Sequence, residues 1–392
     1  MERIKLMGAV LIALLTLASC SESQEDLLQP KLYFESNTIN INAEDVDETQ
    51  CEFQSRLSNK LEANVEVSYQ VGGEEMVKAY NAKYGTKCQL MPAENYTLES
   101  NTAAIKAGDI YAESCLVKMK NLMAMEEGET YLIPLTMTGS ITTVPTQDEC
   151  YIVVKKPIVI NTVGQFGNAW LDTKLPESAK TFSSCTYEAL VYPTTYQTLM
   201  TVMGNEGTLI MRFSDLGHDP KELQMAGSVA QMVVPDPTIF HLNTWYHVAF
   251  TYDAPSGEAK IYVNGNEVAK KTIGSKTFNL NERFTIGFAY DYQNRQFQGC
   301  MSECRLWSVA RSAAELREGM LAVDPKTPGL VGYWKLNGKD CEQREDGQYY
   351  VIDQTDNHND AISMRGKRGE PGYSRGSSVP FEYSDIKVKV SN

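Results

Sequence analysis

The amino-acid sequence predicts an all-β protein that forms two successive β-sandwiches, and three features of its 392 residues lead to this prediction. Apolar and polar residues alternate with a period of two over residues 246 to 252, which is typical of a strand with one buried face. A second predicted strand over residues 260 to 263 is followed by Asn264 and Gly265, which tolerate the positive φ angles of a type I′ hairpin turn. Comparable alternating segments, separated by turn residues, recur in both halves of the chain.

The composition is that of a folded, acidic protein. Hydrophobic residues make up 42% and charged residues 22% of the chain, which argues against extended disorder. The formal net charge of -14 excludes nucleic acid as the expected partner, because phosphate binding requires clustered Lys and Arg. It also disfavours adsorption to anionic lipid headgroups.

The first twenty residues, MERIKLMGAVLIALLTLASC, predict an export signal. Arg3 and Lys5 precede an apolar run over residues 6 to 17, which is short for a membrane span and typical of a signal peptide. The run ends in LASC, which resembles a bacterial lipobox. This resemblance implies a signal peptide within residues 1 to 20 and makes Cys20 the first residue of the mature chain, acylated with palmitate or a similar lipid. Ordinary cleavage near Ala18, which would leave Cys20 free, is the alternative.

Residues 21 to 30 are predicted to form a polar tether. It begins with SESQED, which resembles the surface-export signal of lipoproteins from glycan-foraging Gram-negative bacteria. The resemblance implies an outer-membrane or cell-surface location. Because no later segment reaches 18 consecutive apolar residues, the acyl chains are the only membrane anchor that the sequence predicts.

Residues 31 to 157 are predicted to form the first β-sandwich. The segment VEVSYQVG alternates, and one helix is expected near residues 74 to 84. The run VKAYNAKYGTKCQLMPAENYTL resembles an N-terminal domain of unknown function that is common in surface lipoproteins of glycan-foraging bacteria. The residues that match its pattern are Tyr80, Asn81, Tyr84, Gly85, Leu90, Pro92, Tyr96, Leu98, Ile105, Ala107 and Gly108. The resemblance implies a spacer or accessory domain and supplies no catalytic residues.

Residues 158 to 392 are predicted to form the second β-sandwich. Segments such as CTYEALVYP, TLIMRFSD, RFTIGFAY and FQGCMSECRLW are predicted strands, and a short helix is expected at SAAELREGM. With WYHVAFTYD and AKIYVNGNEV, this order resembles the laminin-G-like branch of the concanavalin A-like lectin and glucanase fold, which implies a jelly-roll sandwich. The matching residues are Glu188, Trp245, His247, Tyr252, Asp253, Asn264, Gly265, Gly287, Gly299, Glu303, Arg305, Trp307, Arg311, Gly332, Tyr333, Trp334, Asp353 and Asn359. Leu190, Met301 and Cys304 depart from the family pattern at packing positions.

The carboxylate motif of the related glucanases is missing from the sequence. Glucanases of this fold place two carboxylates about 5 Å apart through an E-x-D-x-x-E strand, and no Glu of this chain is followed two positions later by Asp. A Walker loop and a dinucleotide fingerprint are also missing. His247 and the three tryptophans Trp245, Trp307 and Trp334 are interpreted as structural. The sequence therefore predicts a protein that is not an enzyme.

The cysteines leave the redox state open. After Cys20, four lie in each predicted domain: Cys51, Cys88, Cys115 and Cys150, then Cys185, Cys300, Cys304 and Cys341. Each set allows three disulfide connectivities, and buried reduced thiols are the alternative. Cys300 and Cys304 lie about 13 Å apart on one predicted strand, so they cannot pair with each other.

Glycan capture is the interpretation that these features favour, because sugars are bound by flat aromatic faces together with amides and charged groups. The loop over residues 289 to 297 combines such groups in Tyr290, Tyr292, Asn294 and Arg295. Tyr192 and Tyr196 form a second candidate pair. A protein-binding or adhesion module is the alternative, since fold does not decide function, and a glycoside hydrolase of an unrecognised type is a third hypothesis.

A turn near the C terminus is chemically suited to calcium. The segment DQTDNHND brings together five side chains that carry oxygen ligands: Asp353, Asp356, Asn357, Asn359 and Asp360. Calcium takes about six to eight oxygen ligands, and lectin-type and laminin-G-like sandwiches often bind one ion at the rim. The sequence therefore predicts one structural calcium ion here and no other cofactor. The alternative is that these residues only stabilise the turn through local hydrogen bonds.

Overall fold

The computed structural model describes residues 29–280, 283–289, 295–365 and 376–390. The chain divides into two compact units, Met1–Ile158 and Val159–Asn392, and the sequence-based boundary lies between residues 157 and 158. Strands dominate the described residues of both units, so the all-β prediction is confirmed. Among these residues, none of the helices combines the length and the apolar character that crossing a membrane requires.

The N-terminal unit consists of short strands and one helix. The strands are β1 (Leu32–Phe34), β2 (Thr38–Asn42), β3 (Thr49–Phe53), β4 (Ser55–Leu57), β5 (Val65–Val71), β6 (Gln89–Leu90), β7 (Tyr96–Leu98), β8 (Thr102–Ile105), β9 (Cys115–Met119), β10 (Thr130–Gly139) and β11 (Glu149–Lys155). Helix α1 (Glu74–Tyr84) connects β5 to β6.

These strands form three sheets around one core. The largest sheet has the order β2-β11-β10-β5-β8, with β6 paired to β10, while β3-β9-β7 and β1-β4 form the other two. Strand β11 is antiparallel to β10 and parallel to β2. Apolar residues from all three sheets share the core, where the rings of Phe34, Phe53 and Tyr69 contact one another at centroid distances of 4.8 to 5.9 Å.

Helix α1 has the bounds that the sequence predicts. Glu74 and Glu75 in its first turn favour the N-terminal end electrostatically, and Gly85 ends it in the left-handed conformation at φ 66°. The Asn81 side chain fixes the segment that follows, since it accepts a hydrogen bond from the Cys88 N–H and donates one to the Cys88 carbonyl, both at 2.8 Å. Asn81 and Gly85 of the family pattern therefore serve the fold.

The C-terminal unit contains the remaining strands. They are β12 (Val163–Phe166), β13 (Ala169–Lys174), β14 (Thr181–Phe182), β15 (Ser184–Pro193), β16 (Met200–Asn205), β17 (Leu209–Phe213), β18 (Leu223–Ala226), β19 (Met232–Val233), β20 (Tyr246–Asp253), β21 (Glu258–Val263), β22 (Asn266–Thr272), β23 (Phe278–Asn279), β24 (Arg283–Ile286), β25 (Gly299–Trp307), β26 (Leu330–Trp334), β27 (Cys341–Gln343), β28 (Tyr349–Val351), β29 (Ala361–Arg365), β30 (Ser377–Ser378) and β31 (Tyr383–Ser384). Helix α2 (Ala313–Glu318) follows β25, as predicted.

Two large sheets enclose the core of this unit. The eight-stranded sheet has the order β22-β21-β20-β15-β25-β12-β31, with β26 paired to β25. The ten-stranded sheet has the order β19-β18-β17-β16-β24-β13-β29-β28-β27, with β30 paired to β29. Residues from both sheets form one apolar cluster, which makes the unit a β-sandwich.

The hairpin that the sequence predicts is confirmed. Strand β20 pairs with β21 in antiparallel register, and β21 pairs with β22 on its other side. Asn264 (φ 50°) and Gly265 (φ 72°) both adopt positive φ angles between β21 and β22, as a type I′ turn requires.

The aromatic and sulfur-containing side chains behave as core residues. Trp245, Trp307 and Trp334 are buried, as predicted. The eight cysteines between residues 51 and 341 are free thiols, and six of them are buried like other small apolar residues. Cys300 and Cys304 both lie on β25.

Candidate functional site

One edge of the ten-stranded sheet carries polar side chains on the face that points away from the core. On β17, Leu209, Met211 and Phe213 belong to the core cluster. Because successive side chains of a strand point to opposite faces, Arg212 lies on the outer face. Gln224 of β18 is paired with Arg212 in the strand register, which places the two planar side chains next to each other.

A pocket of about 420 Å³ opens at this edge. Its lining includes charged and amide side chains and is completed by glycines and a few apolar residues: Glu206, Gly207, Ile210, Arg212, Asp215, His218, Gln224, Met225, Ala226, Gly227, Gln231, Met232, Val233 and Lys271. A concave site of this size, with a few convergent polar groups, is typical of small-molecule binding. We call it the Arg212 pocket.

The Arg212 guanidinium is buried and held in place by its neighbours. Its Nη2 donates to Asp215 Oδ2 at 2.8 Å and lies 3.5 Å from Gln224 Oε1, while Nη1 lies 3.8 Å from Glu206 Oε1. Only 8% of Arg212 is exposed. Its Nε–H is buried and has no hydrogen-bond partner within the described part of the chain. Among these residues, the fold leaves this donor unsatisfied.

Two exposed apolar side chains lie in the pocket lining or next to it in sequence. Val233 on β19 is 44% exposed, and Leu216, next to Asp215, is 75% exposed. The turn that carries Leu216 is held by local hydrogen bonds, because the Leu216 N–H donates to Asp215 Oδ1 at 2.7 Å. Ser214 precedes it at φ 62°, a conformation that is uncommon for a residue other than glycine. The pocket lining therefore combines polar groups with the exposed apolar side chain of Val233.

One predicted ligand-binding residue is connected to this pocket. Arg295 Nη1 donates to Glu206 Oε2 at 3.0 Å, and only 8% of Arg295 is exposed. Tyr290, Tyr292 and Asn294, which the sequence analysis placed in the same loop, lie outside the described residues. Phe297, at the end of that loop, is buried in the core.

The second predicted pair does not line the Arg212 pocket. The ring of Tyr192 contacts Trp245 at a centroid distance of 5.2 Å, in a small apolar cluster. The ring of Tyr196 packs edge-on against Phe213 at 5.1 Å, and its hydroxyl lies 3.4 Å from the His241 carbonyl oxygen. Burial raises the pKa of the Tyr196 hydroxyl. Both rings are half-buried and contribute to packing.

The predicted calcium turn is organised by hydrogen bonds within the protein. Asp353 Oδ1 accepts from the N–H groups of Tyr333 at 2.8 Å and Thr355 at 3.0 Å. Asp353 Oδ2 accepts from the Thr355 hydroxyl at 2.7 Å and the Asn359 N–H at 2.9 Å. The side-chain amides of Asn357 and Asn359 both donate to the Val331 carbonyl.

Of the two remaining residues of that turn, Asp360 accepts from the Asp353 N–H at 2.8 Å and from Arg344 at 2.6 Å, and Asp356 is exposed. Within residues 29–280, 283–289, 295–365 and 376–390, no three His, Cys, Asp or Glu side chains are grouped as metal ligands. The calcium ion stays a prediction.

A separate group of buried charges lies in the eight-stranded sheet and is closed to ligands. Glu188 Oε1 accepts from Trp307 Nε1 at 2.6 Å and from Arg311 Nη1 at 2.9 Å, and Glu188 Oε2 lies 3.0 Å from His247 Nε2. Burial raises the pKa of the Glu188 carboxyl, but Arg305 and the other neighbours outweigh burial and lower it to about 2. Glu188 and His247 have no exposed surface, so both side chains pack inside the sheet.

Comparison with known proteins relates both units to described families. A model for the concanavalin A-like lectin/glucanases superfamily matches residues 167–317, and a model described as an N-terminal domain matches residues 28–142. A solved structure from Bacteroides ovatus, provisionally designated a carbohydrate-binding protein, is 32% identical in sequence; the match covers 92% of this chain and 100% of that chain, with a TM-score of 0.74. The chain belongs to the family of this Bacteroides protein. The recognition of a laminin-G-like, concanavalin A-like C-terminal domain is thereby confirmed.

Other solved structures are more distant. Domain 4 of an arabinanase from Geobacillus stearothermophilus, in complex with arabinotriose, is 19% identical; the match covers 40% of this chain and 85% of that chain, with a TM-score of 0.30. A pentraxin from Limulus polyphemus is 14% identical; the match covers 40% of this chain and 79% of that chain, with a TM-score of 0.32. The comparison with curated proteins found no match.

Proposed function

We propose that this protein captures carbohydrate without transforming it, and that the Arg212 pocket is its binding site. The observation that carries the proposal is the lining of the pocket, where the buried Arg212 guanidinium and the Asp215 carboxylate, joined by a hydrogen bond of 2.8 Å, face one cavity. The pocket has the volume of a small-molecule site and several polar groups in its lining. Membership of a family whose Bacteroides ovatus member is provisionally designated carbohydrate-binding supports a sugar as the ligand.

The geometry of the pocket favours binding over hydrolysis. A glycosidase needs two carboxyl groups that flank the scissile bond, one of them able to donate a proton. The Glu206 carboxylate is engaged by Arg295, and the Asp215 carboxylate is engaged by Arg212 and by the Leu216 N–H. These carboxylates are fixed acceptors that position a ligand.

We further propose that the 289 to 297 loop extends the site from Arg295. Tyr290 and Tyr292 of this loop supply aromatic faces against which a sugar ring packs, and Asn294 supplies an amide. Arg295, which follows these residues in sequence, donates a hydrogen bond to Glu206 of the pocket lining. Each stacked tyrosine is expected to contribute on the order of 1 kcal/mol to binding.

Isothermal titration calorimetry on the chain over residues 21 to 392 tests this function. The titrant is the oligosaccharide that the chain binds most strongly on a glycan array. Asp215→Asn is expected to weaken binding while Asp219→Asn leaves it unchanged. Asp219 belongs to the same turn and accepts from the Lys221 N–H, but it does not line the pocket. A chain that binds no glycan and instead retains a defined protein ligand would support the adhesion module. Release of reducing ends from a polysaccharide would support a hydrolase.

Surface anchoring is the second part of the proposal. The lipobox-like LASC supports acylation of Cys20, and SESQED supports export to the cell surface. Cells fed an alkyne-bearing fatty acid are expected to label the wild-type protein and not Cys20→Ala. Protease treatment of intact cells then tests the outward orientation. An unlabelled wild type would contradict the lipid anchor.

A further inference from the structure

The polar groups of the Arg212 pocket match the hydrogen-bonding pattern of a hydroxyl group. A hydroxyl accepts and donates at the same oxygen, whereas a guanidinium only donates and a carboxylate only accepts. Arg212 Nε is a donor without a partner among the described residues. The Asp215 carboxylate, which lies 2.8 Å from Arg212 Nη2, receives two described hydrogen bonds, and a carboxylate offers about four acceptor sites.

Glu206 supplies a second acceptor on the same guanidinium. Its Oε1 lies 3.8 Å from Arg212 Nη1, and its Oε2 accepts from Arg295 at 3.0 Å. The Arg212 guanidinium, a donor, therefore lies between two carboxylates that are acceptors. A hydroxyl placed beside the guanidinium can accept a hydrogen bond from it and donate one to a neighbouring carboxylate.

The charges that line the pocket cancel. Two acidic residues, Glu206 and Asp215, face two basic residues, Arg212 and Lys271. Both acidic side chains are already paired with guanidinium groups, and Lys271 Nζ donates to the Gln231 carbonyl at 3.0 Å. An anionic ligand would therefore meet no excess of positive charge. It would also approach a chain of net charge -14.

We propose that the Arg212 pocket binds hydroxyl groups of a neutral sugar, with the Arg212 guanidinium as the donor and the Asp215 and Glu206 carboxylates as acceptors, and that it discriminates against uronates and sulfated sugars. This inference rests on the proposed function. A uronate or sulfate oxygen accepts a hydrogen bond from Arg212 but has no proton to donate. It therefore brings a further negative charge close to the Asp215 and Glu206 carboxylates. Such like-charge contact within a partly buried site is unfavourable.

The exposed apolar side chains complete the match to a neutral sugar. Val233 lines the pocket on the edge strand β19 and offers a surface for the C–H face of a sugar ring. Leu216 lies on the turn beside Asp215 and is 75% exposed. A pyranose presents hydroxyls at its edge and C–H groups on its face, and the lining offers polar groups to the first and the Val233 side chain to the second.

The test compares a neutral oligosaccharide with its analogue in which the C6 hydroxymethyl group is oxidised to a carboxylate. Calorimetry on the chain over residues 21 to 392 is expected to show binding of the neutral sugar and binding at least tenfold weaker of the oxidised sugar. Affinity for the neutral sugar is expected to change less than about twofold between ~50 mM and ~500 mM NaCl, because screening acts only on net charge interactions.

Two variants of pocket residues and one matched control test whether the sugar binds in the Arg212 pocket. Arg212→Lys keeps the charge but loses Nε, and it is expected to weaken neutral-sugar binding about tenfold. Asp215→Asn is expected to weaken neutral-sugar binding roughly threefold and to reduce the discrimination against the oxidised sugar. Asp219→Asn changes the same charge on the same turn and is expected to alter neither value. Tryptophan fluorescence melting confirms that each variant is folded.

The outcomes separate this inference from the proposed function. Binding confined to uronate or sulfated sugars, with affinity that falls steeply as salt rises, would overturn the inference and leave carbohydrate capture standing. Neutral-sugar binding that neither pocket variant changes would overturn the assignment to the Arg212 pocket. Failure of the unmodified chain to bind any oligosaccharide would overturn the proposed function itself.

Discussion

The Glu206 carboxylate accepts a hydrogen bond from the Arg295 guanidinium at 3.0 Å, across 89 positions of sequence. Glu206 lines the Arg212 pocket, and Arg295 belongs to the loop that the sequence analysis selected for its aromatic and amide groups. One ion pair thus connects two features that sequence reasoning could not relate. Because both side chains are largely shielded from water, this pair is screened less than a surface pair.

Replacement of Arg295 by methionine is expected to reduce both stability and ligand affinity. The change keeps the side-chain length, leaves Glu206 without this partner, and removes the link between pocket and loop. The expected loss of stability is roughly 1 to 2 kcal/mol, because Glu206 retains some exposure to water. Urea unfolding and sugar titration measure the two effects.

Lys118→Met is the matched control for that variant. Lys118 pairs with Glu99 at 2.9 Å in the other unit, and both side chains are about half exposed. Its removal is expected to cost less than about 1 kcal/mol. Equal effects of the two substitutions would show that the Glu206–Arg295 pair has no special role.

Replacement of Glu188 by glutamine is expected to destabilise the C-terminal unit by roughly 3 to 5 kcal/mol. The change removes one side of a buried ion network and leaves Arg305, fully buried, without that charge. All four tryptophans lie in this unit, so the urea midpoint followed by tryptophan fluorescence reports on it alone. Glu99→Gln, at an exposed pair in the other unit, should leave that midpoint unchanged. A midpoint for Glu188→Gln within error of wild type would contradict the prediction.

The low pKa of Glu188 predicts loss of stability in acid. Its folded-state pKa of about 2 lies below the ordinary value of 4.5, so the folded protein holds the charged form more tightly than the unfolded chain does. This stabilisation is fully present above pH 4.5 and is lost as the pH falls from there towards 2, by roughly 3 kcal/mol in total. The urea midpoint between about pH 6 and pH 3 should therefore fall more steeply in wild type than in Glu188→Gln.

Two buried carboxyls outside the Glu188 group do not obscure that comparison. Burial raises the pKa of Asp340 and Asp353, so these groups favour folding at low pH. They are present in both proteins and cancel in the difference. Parallel pH dependence of the two proteins would show that Glu188 is not the group responsible.

The sequence predicts the strands and turns more fully than the pocket, and the reason is physical. Alternation and the Asn264-Gly265 turn act over a few residues, so the β20–β21–β22 hairpin could be inferred locally. Helix α1 was likewise predicted from a short segment, and the structure ends it at Gly85. These features depend on neighbours in sequence.

The Arg212 pocket depends on lateral strand pairing instead. Glu206, Arg212 and Gln224 follow or lie on three different strands, and only the order β18-β17-β16 brings them together. A local signal did exist, because Arg212 interrupts the apolar run LIMRF and Gln224 interrupts LQMA. A charged or amide residue in a predicted buried strand indicates a polar outer face, but its partners cannot be identified without the sheet order.

The turn over residues 353 to 360 either binds calcium or is held by hydrogen bonds alone, and the melting temperature distinguishes the two interpretations. The structure engages both oxygens of Asp353 with hydrogen bonds from Tyr333, Thr355 and Asn359, so the turn is expected to be stable without a metal ion. The melting temperature followed by tryptophan fluorescence should then be the same in EGTA and in excess calcium. A calcium ion bound only to the folded state, at a free concentration of about 100 times its Kd, would add roughly 2.7 kcal/mol and raise the melting temperature by about 5 °C or more.

Asp353→Asn should lower the melting temperature equally in both buffers, and the exposed Asp356→Asn should leave it unchanged. A calcium-dependent rise that Asp356→Asn abolishes would instead establish the calcium site that the sequence predicts.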